Sequence, residues 1–464
     1  MTTTSTTVPQ IPFPDLAGRI DGALILPTDD EFPHAAQAWN LAVPQRPCAV
    51  LHARTAADVV HAVRFAIEHR LPVTAQPGGH GATTALDGAL LIRTSALDDI
   101  WIDADARVAR VGAAVKWGQL QSALDGTGLT GMLGSSPDVT VVGFCLSGGL
   151  SWFGRAHGTG AASLRAVELV DATGTHRWVD DSTDASLMWA LRGGGGEFGI
   201  VTAVEIALVP APEMAGGRLL FPVEDAPRVW RAFAEVTTVA PRELTLFASV
   251  LHFPPIPELP EEIRGRSFCA VDAVLLGGAA TLEALLRPIA GVGTVLRSTI
   301  GPLRPSTIGD VCEEPVDPSP ALTGSGSLVS LDDEVLTALL DRVSDPACGL
   351  VQAQVRHLGG SFRDDPARPA ACGRVDAEYM AMMLAMAPVP EAIEPAQAAI
   401  DAALDILEPW HAGPLTLSML GHHDGAEVAF TPDTLRRLRD VKESTDPRCV
   451  VRGNFPVHGS PTTR

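Results

Sequence analysis

Three short segments in the first half of the chain combine closely spaced glycines with side chains that could do chemistry. GGHGA at 78–82 sets His80 among glycines, SSPDVTVVGFCLSGG spans 135–149, and GGGGEFGIV spans 193–201. Successive backbone N–H groups in such turns form concave anion sites without any lysine. Small residues also let a large planar ligand lie against the main chain. Three such segments favour one extended ligand with a diphosphate over three unrelated turns.

The third segment has GxGxxG spacing at Gly194, Gly196 and Gly199, but its flanks do not suit a dinucleotide fingerprint. That fingerprint needs a strand before the glycines and a helix after them. Here the helix-like ASLMWALRG precedes and the β-branched IVTAVEI follows, so we reject the Rossmann interpretation. No glycine loop is followed by Lys-Ser/Thr and no GxSxG elbow occurs, which excludes a P-loop nucleoside triphosphatase and argues against a serine hydrolase.

Histidines and cysteines give no pattern typical of a metal site. His422 and His423 are adjacent on a predicted strand, so they point to opposite faces; one could line a pocket, but the two do not suit one metal. Seven scattered cysteines without CxxC pairs argue against a disulfide framework or a zinc site.

Composition indicates a globular protein with acidic character. The 464 residues suffice for two or more domains, and 46% of them are hydrophobic. A net charge of −21 argues against a nucleic-acid partner, which needs Lys and Arg to neutralise phosphates. The polar N-terminus lacks the features of a secretory signal, and no stretch approaches the ~20 apolar residues of a membrane span. We therefore expect a cytoplasmic protein with no membrane partner.

The predicted elements place the first glycine segment at the end of a βαβ unit. CAVLHA (48–53) is typical of a strand, 55–69 of an amphipathic helix, and 71–75 of a second strand that leads into the glycines. Hairpins are predicted at 100–113 and 167–179. Parallel units mixed with hairpins indicate an α+β domain rather than a doubly wound sheet.

A proline-rich segment at 207–214 separates this part from a second pattern of longer strands. ELTLFASVLHF, FCAVDAVLL, VQAQVRHLGG and YMAMMLAMA predict strands of one antiparallel sheet, with helices near 281–290 and at 395–410 on one face. Thr431 as N-cap and Pro432 at the first helical position predict a helix that opens the tail.

In this order the segments resemble the berberine-bridge-enzyme-like FAD-linked oxidases of the vanillyl-alcohol-oxidase (p-cresol-methylhydroxylase) superfamily. The similarity runs through GGHG, SSPDVTVVGFCLSGGLSWFGRAHG, WALRGGGGEFGIVTAVEI and DPRCVVRGNFPV. It implies an α+β fold with a two-part FAD-binding domain and an antiparallel-sheet substrate domain covered by helices. The implied domains are 1–208 for the first part of the FAD domain, 209–427 for the substrate domain and 428–464 for the returning segment.

The resemblance also implies which residues hold FAD. His80 occupies the position at which the family attaches the flavin 8α-methyl covalently, and the surrounding backbone holds the diphosphate. Many relatives carry a second tether, a cysteine, where this chain has Ser136, so attachment is expected through His80 alone. The implied cofactor-binding residues are Pro77, Gly78, Gly79, His80, Gly81, Ala82, Ser136, Val139, Thr140, Gly143, Gly148, Gly199, Val201 and Asn454.

The proton acceptor is left open by the sequence. The family often places a catalytic tyrosine on the strand entering the tail, here LTLSMLGHH, where Thr416 aligns with it. The only tyrosine in the chain is Tyr379, whose strand alternation puts it on the face of Ala381 and Met383. The candidate catalytic residues are therefore Tyr379 and His422, the latter because imidazole titrates where a base should.

These observations favour a flavin oxidase that acts on an alcohol or amine centre of a small hydrophobic secondary metabolite, with oxygen as acceptor. The cofactor carries the redox chemistry and the protein supplies orientation and electrostatics. Because the tyrosine is missing, the alternative is a flavin-bound non-redox cyclase or a drug-sequestering binding protein. A flavin dehydrogenase that uses another acceptor differs only in the oxygen reactivity of the reduced enzyme.

Overall fold

The computed structural model describes residues 11–459. The expectation that the chain has no secretory signal rests partly on residues 1–10, which lie outside the described residues. None of the helices between residues 11 and 459 is long and apolar enough to cross a membrane. The α-helices of this part of the chain are α1 (Phe13–Ala17), α2 (Phe32–Ala36), α3 (Ala56–His69), α4 (Trp117–Leu124), α5 (Val141–Leu146), α6 (Gly154–His157), α7 (Ala185–Leu191), α8 (Ala226–Val239), α9 (Ala279–Ala290), α10 (Asp333–Val343), α11 (Ile393–Leu404) and α12 (Pro432–Thr445).

The first sheet carries the first glycine segment at the end of one strand. Its order is β1 (Ala23–Ile25), β2 (Ala49–His52), β4 (Leu90–Arg93) and β3 (Val73–Ala75), with β2 and β3 both parallel to β4. The predicted βαβ unit is thereby confirmed. Helix α3 starts at a capping box, because the Thr55 hydroxyl accepts a hydrogen bond from the Asp58 N–H and the Asp58 carboxylate accepts one from the Thr55 N–H.

The second sheet is antiparallel and contains both predicted hairpins. Its strands, in spatial order, are β5 (Ile100–Asp103), β6 (Val108–Gly112), β10 (Ile200–Ala207), β8 (Leu164–Val170) and β9 (His176–Asp180). Helix α7 precedes the GGGGEFG segment and strand β10 follows it. This order confirms the rejection of a dinucleotide fingerprint. The short strands β7 (Leu129–Thr130) and β11 (Val209–Pro210) pair with each other beside this sheet.

The third sheet is the large antiparallel one predicted for the second half of the chain. Helices α8 to α11 pack on one face of this sheet, and their apolar stripes share a core with alternate strand residues. The fold is thus α+β, as expected. In spatial order the strands are β15 (Arg297–Ser298), β12 (Met214–Pro222), β14 (Ser267–Leu275), β13 (Leu244–His252), β18 (Gln352–His357), β19 (Tyr379–Met386) and β17 (Ala321–Leu328), and β16 (Gly301–Leu303) also pairs with β12.

The C-terminal segment returns to the first sheet. Helix α12 begins as predicted, with Thr431 accepting a hydrogen bond from the Thr434 N–H and Pro432 at the first position. After the helix, Val451 forms a parallel bridge with Val73 on β3. This pairing brings the residues that follow Val451 alongside the first glycine segment.

The prediction of a strand for LTLSMLGHH is wrong. Residues 417–419 form a single 3₁₀ turn instead. The Ser418 N–H donates to the Ser147 carbonyl, and the side chain of Thr416 packs against Gly148. The backbone of this segment is therefore bonded to the second glycine segment rather than to a neighbouring strand, a long-range contact that local alternation does not reveal.

Candidate active site

A cavity of about 370 Å³ lies where the three sheets meet. All three glycine segments border it, together with the returning C-terminal segment and one face of the third sheet. Of the fourteen residues predicted to bind FAD, the cavity is lined by Pro77, Gly78, Gly79, His80, Gly81, Ser136, Val139, Thr140, Gly143, Gly199, Val201 and Asn454. The structure thus brings together residues that are up to 377 positions apart in sequence, from Pro77 to Asn454.

The other two predicted residues, Ala82 and Gly148, are not among those that line the cavity. Ala82 packs in a small apolar cluster with Ala38 and Val43. Gly148 has a φ of +95°, and a Cβ atom there would lie 2.6 Å from the Cβ of Thr416. Its glycine therefore permits a left-handed turn and a close backbone contact with Thr416.

His80 is held from two sides at the cavity wall. Its ring stacks on the Trp39 indole with 4.0 Å between centroids, and its Nε2 lies 3.5 Å from Asp138 Oδ2. Asp138 also pairs with Lys116, one of only two lysines in the chain. Burial disfavours the Asp138 carboxylate, but the nearby His80 ring and the pairing with Lys116 outweigh this effect and lower its pKa. A carboxylate facing Nε2 fixes the orientation of the imidazole.

The cavity wall offers both polar groups and open space to a ligand. Gln76 Nε2 and Thr94 Oγ1 are buried at the wall without a hydrogen-bond partner among the described residues. A Cβ atom built on Gly81 would come only within 3.9 Å of Asn454 Nδ2, and one built on Gly196 would meet nothing within 4 Å. Since unpaired buried polar groups are costly, these residues suit an extended polar ligand such as FAD.

The glycines of the first segment differ in what they permit. Gly79 has a φ of +103°, and an added Cβ would lie 3.0 Å from both Ala38 Cβ and Gln76 Oε1. Gly81 is not in the left-handed region. Gly79 therefore needs glycine for its own backbone conformation, whereas a side chain at Gly81 would project into free cavity space.

A buried charge cluster ties the C-terminal segment to the cavity. The Lys442 ammonium donates to the Glu197 carbonyl, to the Asp446 carboxylate and to the Val451 carbonyl at 2.6–2.8 Å. The Glu197 carboxylate accepts a hydrogen bond from the Val457 N–H, and burial raises its pKa to about 7. These bonds position the chain on both sides of Asn454.

The third sheet contributes cavity residues that sequence reasoning missed. Thr323, Arg356 and Met382 line the cavity from β17, β18 and β19, and Glu314 lines it from the preceding loop. The QAQVRH strand places Gln352, Gln354 and Arg356 on one face, opposite Ala353 and Val355. The alternation in the sequence shows that this strand has a polar face. It does not show whether that face meets solvent or a cavity, because this depends on how the other two sheets pack against it.

The two candidate bases do not line the cavity. Strand parity puts Tyr379 with Ala381 and Met383, and this face of the sheet is the one that the helices cover. The Tyr379 hydroxyl bonds to Thr237 Oγ1 at 2.7 Å, and burial raises its pKa. The cavity borders the opposite face of the sheet, which carries Arg356 and Met382.

His422 lies nearer to the cavity but outside its lining. It follows Leu420, which does line the cavity, by two residues, and its Nδ1 is buried without a partner among the described residues. Burial lowers the pKa of His422, and its ring meets that of His423 edge to face. Between residues 11 and 459 no three His, Cys, Asp or Glu side chains are arranged to hold a metal.

Cysteine supplies no second attachment point at the cavity. Ser136 lines it and accepts a hydrogen bond from the Asp138 N–H. Cys145 is fully buried in the core beneath, and this burial raises its pKa to about 12. Thr416, which aligns with the family tyrosine, is also buried and bonds to Ser418, whose side chain does reach the cavity.

Comparison with known proteins supports FAD as the ligand of this site. An FAD binding domain family matches residues 47–180. The chain is 35% identical to the FAD-dependent monooxygenase FUP4 of Fusarium proliferatum over 44% of this chain and 41% of that protein. It is 32% identical to (R)-6-hydroxynicotine oxidase of Paenarthrobacter nicotinovorans over 42% of this chain and 43% of that protein. Each match thus spans less than half of the relative's length.

Solved structures agree over almost the whole chain. BBE-like 1 of Physcomitrella patens superposes with a TM-score of 0.82 at 18% identity, covering 96% of this chain and 99% of that one. The 6-hydroxy-D-nicotine oxidase of Arthrobacter nicotinovorans gives 0.81 at 23% identity, covering 94% and 98%. The chain therefore carries an FAD-binding domain, and its overall fold is similar to that of BBE-like 1 and of 6-hydroxy-D-nicotine oxidase.

Proposed function

We propose that the chain binds FAD in the cavity, attached through His80 alone, and oxidises an alcohol or amine centre of a small hydrophobic secondary metabolite with oxygen as acceptor. The observation that carries this proposal is the convergence of three glycine segments and Asn454 on one cavity beneath the third sheet. Partial matches to a monooxygenase and an oxidase support the proposal of an oxidase that uses oxygen. The metabolite class and a cytoplasmic location are proposed from the sequence alone.

Bound FAD would supply the redox chemistry by accepting a hydride and passing two electrons to oxygen. The glycine segments would hold the cofactor, because their backbone N–H groups need no side-chain charge to bind an anion. His80, oriented by Trp39 and Asp138, is the proposed point of attachment. Ser136 at the cavity wall supports a single tether, since a hydroxyl cannot form a thioether.

The chain must also accept a proton from the substrate heteroatom. Tyr379 and His422 were the sequence candidates, but the Tyr379 hydroxyl is engaged with Thr237 under the helices. Glu314 is an acidic residue that lines the cavity from the loop before β17. We therefore add Glu314 to the proposal as proton acceptor and keep His422 as the alternative, because a base must reach its proton directly or through one water.

A second candidate function has support in the composition of the cavity wall. Among the described residues His80 is the only histidine that lines the cavity, and no tyrosine lines it. A flavin-bound non-redox cyclase or drug-sequestering binding protein would need no proton acceptor for oxidation. This candidate therefore accounts for the missing tyrosine.

Anaerobic mixing of the purified holoprotein with candidate alcohols and amines separates the two functions. Loss of the oxidised flavin absorption on mixing supports an oxidase. A shift of the flavin bands that shows binding, without reduction by any substrate that binds, supports the non-redox alternative. Readmission of oxygen then distinguishes an oxidase from a dehydrogenase, because only an oxidase recovers its oxidised spectrum rapidly.

A further inference from the structure

Five arginines are buried in the part of the chain that the structure describes, and four of them are neutralised or saturated with acceptors. Arg218 pairs with Asp272 through two hydrogen bonds, and Arg192 pairs with Asp181 in the same way. Arg93 and Arg155 donate to several backbone carbonyls each. The fold therefore satisfies a buried guanidinium wherever it is purely structural.

Arg356, the fifth, lacks such partners. Its Nε donates to Gln354 Oε1 at 2.6 Å, and its Nη2 makes only a long contact of 3.4 Å with Ser135 Oγ and one of 3.7 Å with the Met382 sulfur. Its Nη1 makes no hydrogen bond to a described residue, and no described carboxylate lies within 4.0 Å of it. Burial lowers the pKa of Arg356, and the carboxylates of Glu314 and Asp272, which favour its charged form, lie beyond hydrogen-bond reach.

The guanidinium is nevertheless held in one orientation. It lies over the Phe247 ring at 4.5 Å, and Trp152 stacks on that ring at 4.0 Å. Gln354 is itself fixed by a hydrogen bond to Ser249. Arg356 is thus a rigid, incompletely satisfied cation that lines the cavity from the third sheet, the side opposite the glycine segments.

We propose that Arg356 binds a carboxylate on the substrate, so that the substrate class is a small aromatic or apolar acid rather than a neutral metabolite. A planar guanidinium with free N–H groups matches a carboxylate better than any neutral acceptor. The Met382 side chain, which lines the cavity next to Arg356, suits the apolar body of such a molecule. This inference rests on the proposed function only in taking the cavity as the substrate site.

Two other partners for Arg356 lie within the same cavity. Glu314 lines it as well and favours the charged arginine at longer range. Negative charge on the reduced flavin would also attract a guanidinium. A carboxylate ligand differs from both, because its binding to the oxidised holoprotein depends on Arg356 and does not depend on Glu314 or on flavin reduction.

The test uses benzoate and benzamide, which match in size and differ in charge, titrated into the oxidised holoprotein and followed by flavin difference spectra and calorimetry. The variants are Arg356→Gln, Arg356→Lys and, as the matched cavity control, Glu314→Gln. Flavin content and thermal midpoint are measured first for each. We expect benzoate to bind wild type about tenfold or more tightly than benzamide, and Arg356→Gln to abolish that preference. Arg356→Lys should retain part of it, and Glu314→Gln should not weaken benzoate.

Three results would overturn the proposal. The first is benzoate that binds no better than benzamide or does not bind up to its solubility limit. The second is a preference for benzoate that both Arg356→Gln and Arg356→Lys leave intact. The third is an Arg356→Gln variant with a lower flavin midpoint potential and unchanged benzoate binding, which would make the flavin the partner. Failure of the proposed function is seen separately, as a protein without flavin or one that binds acids but is reduced by no substrate.

Discussion

Replacing Lys442 with methionine tests how the C-terminal segment is held at the cavity. Methionine nearly matches the lysine in length but removes the ammonium from a side chain that is 1% exposed. The Asp446 carboxylate and the carbonyls of Glu197 and Val451 then lose their donor. Breaking a buried ion pair by removing one partner typically costs about 3–5 kcal/mol, and we expect a loss of that size in the free energy of unfolding.

The matched control is Arg436→Met on the same helix. Arg436 forms an exposed pair with Asp433, three residues away, and exposed pairs contribute about 0–1 kcal/mol. Urea unfolding followed by circular dichroism and tryptophan fluorescence measures both variants. Because the segment beyond Val451 carries Asn454, Lys442→Met should also lose flavin more readily on dialysis. If the two variants lose the same stability, within about 1 kcal/mol, the buried cluster does not hold the segment in place.

Three further predictions concern the cofactor, the base and acid stability. Wild type should keep its flavin after acid precipitation and His80→Ala should release it; an intact mass without an FAD adduct on loaded wild type would refute the tether. Glu314→Gln should slow anaerobic flavin reduction about 10²-fold, His422→Asn less, and Tyr379→Phe not at all; a slow Tyr379→Phe would restore the tyrosine as base. Burial and Arg155 hold the pKa of His357 at about 2 in the folded protein, below its ordinary value in the unfolded chain. As pH falls below that ordinary value the unfolded chain binds a proton that the folded protein does not, so the folded protein loses stability. His357→Asn should therefore lose less stability than wild type on acidification from about pH 7 to about pH 5, and parallel stability–pH curves would contradict this.

Local patterns predicted most of the fold because the elements concerned carry their own signals. Helix α3 has a capping box at Thr55, the tail helix has Pro432 at its first position, and the strands of the third sheet alternate in burial. The same alternation placed Tyr379 correctly with Ala381 and Met383. What it could not decide is which face of the sheet the helices cover.

The cavity residues on the substrate side were missed for a related reason. Arg356 stands on a polar strand face that in an isolated sheet would meet water, and only the packing of the first two sheets turns that face into a cavity wall. The family pattern placed Thr416 on a strand and Gly148 at the flavin. In the structure the Thr416 side chain packs so closely on Gly148 that a Cβ atom there would lie 2.6 Å from the Cβ of Thr416, and the residues after Thr416 form a 3₁₀ turn. Such contacts join residues 268 positions apart, so the local periodicity of apolar residues cannot predict them.

The flavin content of Gly81→Val measures whether the cavity holds FAD. Gly81 is better suited than Gly79, whose left-handed backbone and crowded surroundings would strain the loop with any side chain. Gly18→Val is the matched control, because Gly18 is exposed, does not line the cavity and has an ordinary helical φ of −73°. Visible spectra of the purified proteins should show wild type and Gly18→Val yellow with about one flavin per chain, and folded Gly81→Val colourless, since its side chain occupies cavity space. Full flavin loading of Gly81→Val, or a wild type that neither contains nor takes up FAD, would contradict the assignment of this cavity as the FAD site.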